Sequence, residues 1–188
     1  MGLLSEGINE VIATTSGNAA PMGIIWRDGA AKMVIYRGSH TADRVREGGW
    51  LVGNFTHDPV MYVRTAFEDL PPEYFVSEEV QGLAVERLAG SEAWAAFSAR
   101  VARETREALM VELEPLEEHI ISPRIHPVNR GFNSVIEAAV HATRYIRDHD
   151  PALRDLIRHH AVVVRRCGGK RELEALSMLE GFLAAQVP

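Results

Sequence analysis

The segment Tyr36-Arg-Gly-Ser-His-Thr41 concentrates anion-binding groups where a strand gives way to a short helix, expected from about Ala42 to Glu47. Backbone amides at a helix N-terminus lack intrahelical acceptors, and the helix dipole favours negative charge there. Ser39 and Thr41 add hydroxyls, Gly38 permits close backbone approach, and Arg37 or Arg44 supplies charge-assisted contacts. With His40 these residues make a cradle suited to one phosphate. Ser and Thr before a helix are also ordinary capping residues, and composition does not separate the two uses.

A second constellation lies downstream. Glu137, His141 and Arg144 fall at i, i+4 and i+7, one helical stripe expected opposite the apolar face. A glutamate and a histidine one turn apart suit metal ligation or proton transfer. Two ligands with no cysteine or further clustered carboxylate make a poor metal site, so no metal is expected. A surface salt-bridge ladder and a role beside a cofactor both stay open. Asn129 and Arg130, at the entrance to the same helix, offer donors to a phosphate or an anionic substrate. His57 and Asp58 precede Pro59 and read as turn formers. Cys167, the single cysteine, has no partner for an internal bridge and reads as an inert thiol beside Gly168-Gly169.

The elements that must position these groups change character along the chain. The first third is strand-like: Glu10–Thr15, Gly23–Trp26, Ala31–Tyr36 and Trp50–Phe55, separated by turn compositions such as Ser16-Gly-Asn18 and Arg27-Asp-Gly29. An antiparallel meander closed into a barrel removes the exposed edges. Ser91 looks like an N-cap, and Trp94, Phe97 and Val101 predict a helix through about Glu107. Leu109–Leu113 returns to strand alternation.

From Gly131 onward three helices are expected. Val135, Ile136, Ala139, Val140 and Thr143 share one face of the first; Asp150 caps the second with Pro151 in its first turn, and Gly168-Gly169 ends it. Leu173, Leu176, Leu179 and Leu183 stripe the third. The expected class is therefore α+β: an antiparallel barrel domain over residues 1–125, and a helical segment over 126–188 packed on the barrel or on a dimer partner.

A chain of 188 residues with a formal charge of −6 is large enough to fold without disulfides or metal and is poorly suited to coating nucleic-acid phosphates. The basic cluster through Arg154, Arg158, His159, His160, Arg165, Arg166, Lys170 and Arg171 is bracketed by Asp150, Asp155, Glu172 and Glu174, as on a solvated helix face. The N-terminal residues lack a basic region followed by an apolar core, and no apolar run reaches membrane-spanning length. A cytoplasmic protein without nucleic-acid or membrane partners is expected.

The order of four short motifs, Ala13-Thr-Thr15, Ala20-Pro-Met-Gly23, Ser39-His-Thr41 and Val52-Gly-Asn54, resembles the flavin reductase-like FMN-binding split-barrel superfamily over about the first 70 residues. Over most of its length the chain is similar to one uncharacterised branch, domain-of-unknown-function family 447. That similarity rests on Ala20–Ile24, Arg37–Thr41, Asn54-Phe-Thr-His-Asp-Pro59, Asn129-Arg-Gly-Phe-Asn-Ser-Val-Ile-Glu-Ala138 and Ala142-Thr-Arg144. The chain departs from flavin reductases in carrying Ile24, Ile25 and Trp26 where hydroxyl side chains often follow the Pro-x-Gly segment, so backbone amides would have to serve the flavin ring.

The resemblance implies FMN as cofactor. It places Ser39 and Thr41 on the phosphate, the backbone of Met22, Gly23 and Ile24 along the isoalloxazine, and Asn54 and Thr56 facing the ribityl chain or ring. It also implies a homodimer whose partner completes the flavin groove and covers Ile24, Ile25, Trp26 and Trp50, bringing the Asn129–Arg144 segment of one chain toward the phosphate cradle of the other. Trp26 or Trp50 could stack on the flavin, although core or interface packing is the more ordinary use of such aromatics. Two uses follow: an oxidoreductase passing electrons from a reduced nicotinamide or deazaflavin through FMN to a small acceptor, or a flavin-binding carrier or accessory protein linked to one-carbon metabolism. A barrel that has lost its flavin and serves as a scaffold is a third. No Gly-rich dinucleotide fingerprint is present, so a pyridine nucleotide would bind transiently over the flavin.

Overall fold

The computed structural model describes residues 2–185. Strand pairing at the start is set by two-residue turns whose central residues have positive φ: Ser16 and Gly17 (φ 44° and 73°) join β1 (Gly7–Thr15) to β2 (Asn18–Arg27), and Asp28 and Gly29 (51° and 75°) join β2 to β3 (Ala30–Tyr36). Such turns match the right-handed twist of the flanking strands. Then come α1 (His40–Gly48), β4 (Trp50–Phe55), α2 (Pro59–Phe67), the hairpin β5 (Phe75–Val80) and β6 (Leu83–Leu88), and the long strands β7 (Ala93–Glu104) and β8 (Ala108–Ile120). Three helices end the chain: α3 (Arg130–Asp148), α4 (Pro151–Cys167) and α5 (Lys170–Ala185).

Six antiparallel strands close a barrel in the order β1-β2-β3-β8-β7-β4, with β4 returning to β1. Alternation along each strand sends Val11, Ile24, Met33, Ile35, Leu51, Phe97, Leu109 and Val111 inward, and Ala42 and Val45 of α1 join the same core. The hairpin β5–β6 lies against the outer face of β4 and β7, burying Trp50, Val52, Trp94 and Ala96 with its own Val80 and Val85.

The expected helix from Ser91 to Glu107 is β7 instead, and Ser91 donates its hydroxyl to the Leu88 carbonyl in the preceding turn. β7 is covered on both faces, by the barrel core at Ala95 and Phe97 and by the hairpin at Trp94 and Ala96. A strand buried on both sides loses its polar alternation, and its remaining apolar spacing mimics a helix.

The chain forms two compact units, and α2 (within His57–Glu68) groups with the residues from Ile125 onward rather than with the barrel sequence that surrounds it. Inside this second unit Asp58 caps α2 by accepting from the Val60 amide and takes a paired contact from Arg171 of α5 at 2.6 and 2.7 Å. The carboxylate holds the Arg171 guanidinium above its ordinary pKa, chiefly through that hydrogen bond. The three terminal helices begin and end as their capping residues dictate, at Asn129, Asp150-Pro151 and Gly168. The buried face of α3 is Val135, Ala138, Ala139 and Ala142, rotated from the expected Ile136, Val140 and Thr143. Leu176 and Leu179 of α5 are buried while Leu173 is exposed.

Candidate functional site

At the start of α1 the local chemistry is a capped helix with spare donors. Ser39 accepts from the Ala42 amide at 3.2 Å and donates its own proton to the Tyr36 carbonyl at 2.8 Å, so its hydroxyl is spent within the turn. Among the described residues the amides of His40 and Thr41 meet no acceptor, as first-turn amides of a helix do until a ligand or water arrives. Thr41 is buried and accepts from the Asn18 side chain at 2.9 Å, which leaves its hydroxyl proton to donate. Gly38 sits at φ 84° with open space around the position a side chain would take. Arg37 is exposed, 3.4 Å from Glu104.

The bond from Asn18 ties this turn to β2, where the barrel comes apart. β2 pairs with β1 along its whole length but with β3 only from Ile24 to Arg27. The stretch 18–23 of β2 therefore has one edge without a strand partner. In an antiparallel pair alternate residues direct their N–H and C=O groups to the other edge, so this stretch presents unladdered backbone donors and acceptors beside the α1 turn.

Met22 and Gly23 lie on that edge and Ile24 at its end. The Ile24 side chain is inside the barrel core and Met22 packs against it, while a Cβ on Gly23 would meet Ile8 Cγ2 at 2.7 Å. Their backbone on the unpartnered edge is available to a ligand. Asn54 is fully buried: its Nδ2 donates to Ile12 and Val52 carbonyls and the Thr14 hydroxyl, and its Oδ1 accepts from the Leu88 amide at 2.7 Å. Its amide stitches β4 to β1 and to the hairpin. Thr56, half-buried, follows the end of β4. Trp50 is buried beneath the hairpin, Ile24 fills the barrel, and Trp26 packs on the same core, so these three do not form the exposed apolar surface expected of them.

A cleft of about 440 Å³ opens on the other side of the α1 turn, lined by Ser16, Gly17 and Asn18, by His40, Asp43, Arg44 and Glu47, and by Asp69. Its carboxylates outnumber its cations, and Asp69 lies 3.4 Å from His40 Nδ1. An anion is therefore favoured where the amides converge at Gly38–Thr41, not on the cleft floor.

In the second unit, Asn129 caps α3 by accepting from the Gly131 amide at 2.8 Å, and its Nδ2 reaches the buried Glu172 at 3.4 Å. Arg130 beside it is exposed. Phe132 stacks on His57, which itself stacks on His126.

Residues 9–122 match the N-terminal domain of DUF447, a protein family of unknown function, and residues 129–181 match the further DUF447 domain. The chain belongs to the DUF447 family. An FMN-bound DUF447 protein from Methanosarcina mazei superposes with a TM-score of 0.90 at 34% identity, covering 95% of this chain and 96% of that one. A flavin reductase complexed with NADP+ aligns at TM-score 0.48 and 15% identity over 64% of this chain and 83% of its own. Component B of nitrilotriacetate monooxygenase from Bacillus cereus aligns at 0.47 and 13% over 67% and 75%.

In this DUF447 chain the sequence motifs therefore divide. Arg37, Gly38, Ser39, His40 and Thr41 share one turn, which the Asn18 bond ties to the first residue of β2, while the Asn54 side chain is engaged within the fold. Two features escaped the sequence: the unpartnered edge of β2, which no residue type signals, and the meeting of His160 of α4, read there as part of a solvated face, with Glu137 and His141.

Proposed function

We propose that the chain binds FMN outside the barrel, with the phosphate at the Gly38–Thr41 turn and the isoalloxazine along the unpartnered backbone of β2 near Met22 and Gly23. The observation that carries this reading is the coincidence of free first-turn amides with an open strand edge, in a chain 34% identical to an FMN-bound relative. The donor set fits a monophosphate: amides of His40 and Thr41, the Thr41 hydroxyl, and the exposed guanidinium of Arg37. Bound FMN supplies hydride and electron transfer. The protein's part is to hold the phosphate, to place ring positions against β2 amides, and to exclude water. We propose an oxidoreductase that passes electrons from a reduced nicotinamide or deazaflavin to a small acceptor.

Thr41→Val tests the phosphate site. It keeps the shape of Thr41 and removes its hydroxyl, so FMN titration of apo-protein should show affinity about tenfold weaker, as loss of a hydrogen bond to a charged group entails. Thr41→Ser should restore binding. Equal affinity in all three proteins would move the phosphate elsewhere, Arg130 being the next basic candidate. Rapid anaerobic mixing of the FMN-loaded protein with reduced nicotinamide or deazaflavin tests turnover. Bleaching of the flavin supports an oxidoreductase, and an unbleached flavin supports a carrier.

A homodimer is part of the proposal. Val34, Tyr36 and Met110 are exposed on the outer face of β3 and β8, with Val34 directly opposite Met110. A twofold contact would bury such a patch on both chains at once. Sedimentation over a dilution series should show a dimer, and Val34→Arg should shift it to monomer with reduced FMN occupancy. A wild-type monomer holding FMN tightly would refute the shared pocket.

A further inference from the structure

We propose that Glu137, His141 and His160 form a binding site for one divalent transition-metal ion of the zinc class within the helical unit. Glu137 and His141 stand one turn apart on α3, and His160 approaches them from α4, its ring centroid 5.6 Å from that of His141. One ligand atom from each residue lies within 4.8 Å of the others.

Around a tetrahedral ion with bonds of about 2.0–2.2 Å, neighbouring ligand atoms sit roughly 3.4 Å apart, so closure needs only about an ångström of side-chain movement. Two helices packed against each other fix the backbones that carry the ligands. The ligand atoms are two imidazole nitrogens and one carboxylate oxygen, a set that suits zinc or its first-row neighbours better than magnesium or calcium.

A second observation points to a missing partner. The Nδ1 atoms of both His141 and His160 are buried without a hydrogen-bond partner, which is uncommon for buried polar atoms in folded proteins. The His141 side chain is only 15% exposed, while Glu137 reaches solvent at 58%. The ion would thus be entered from the Glu137 side, with water or an exchangeable ligand completing its coordination. Sequence spacing alone offered two of the three ligands; the third stands nineteen residues after His141 and meets it only because α4 folds back on α3.

The test uses the full chain, stripped with chelator and titrated with zinc by calorimetry, with the thermal midpoint followed in parallel. One high-affinity ion per chain and a raised midpoint are expected. Glu137→Gln, on an exposed side chain and so harmless to folding, should weaken zinc binding about a hundredfold, at or beyond the ten- to hundredfold cost of losing even an outer-shell partner. His160→Gln should do the same, with helicity checked by circular dichroism. Cobalt substitution should give the visible absorption of a four- or five-coordinate site, lost in Glu137→Gln. Zinc binding unchanged in both variants, or no ion held by the wild-type chain, would overturn the site.

Discussion

Replacing Asn54 with Leu should cost about 3 kcal/mol of stability, because it strands the buried Leu88 amide and removes the donors that Ile12, Thr14 and Val52 accept from. The size matches, but the amide does not. Every polar atom of Asn54 is engaged where β4 meets β1 and the β5–β6 hairpin, and a hydrocarbon there pairs none of them. A urea midpoint lowered with an unchanged slope, measured without FMN, is the expected readout. A loss below about 1 kcal/mol would mean that the hairpin anchors itself without Asn54.

Gly131→Ala should be comparably costly, about 3 kcal/mol, at the upper end of what overpacking a filled site entails. A Cβ on Gly131 would stand 2.5 Å from the Gly168 Cα and 2.6 Å from its nitrogen, and backbone atoms cannot rotate away as a side-chain tip can. The start of α3 and the α4–α5 junction touch through two glycines. Asn129 and the buried Glu172 brace the same contact, with Glu172 also accepting from the Gly169 amide at 2.8 Å. The variant should lose stability through the helical unit, seen as a lowered urea midpoint. An unchanged midpoint would show that the two glycines can separate freely.

These two positions explain what the sequence made legible and what it hid. The turns at Ser16-Gly17 and Asp28-Gly29, the caps at Ser39, Asn129 and Asp150, and the three terminal helices follow from local rules, and local rules are visible in a sequence. β7 was hidden because burial on both faces erased its alternation. The motif around Asn54 and the run from Asn129 to Phe132 look like chemistry when read linearly. In the fold, Asn54 is a buried stitch, Asn129 a cap, Gly131 a close contact and Phe132 a stacking surface for His57.

The site itself was partly legible. The Arg37–Thr41 turn has a composition that suits a phosphate, and the fold keeps its free amides. The proposed ring site was not readable in side chains, because Ile24 faces the core and Gly23 offers only backbone. Its character comes from the parting of β2 from β3, a property of pairing register rather than of residue type.

That this chain holds FMN is read from the absorption spectrum of the protein after reconstitution, with the released chromophore identified by chromatography. A yellow protein carrying close to one FMN per chain is expected, since the Gly38–Thr41 turn offers donors for one phosphate. FAD as the dominant species, or a colourless protein that takes up no FMN, would contradict it.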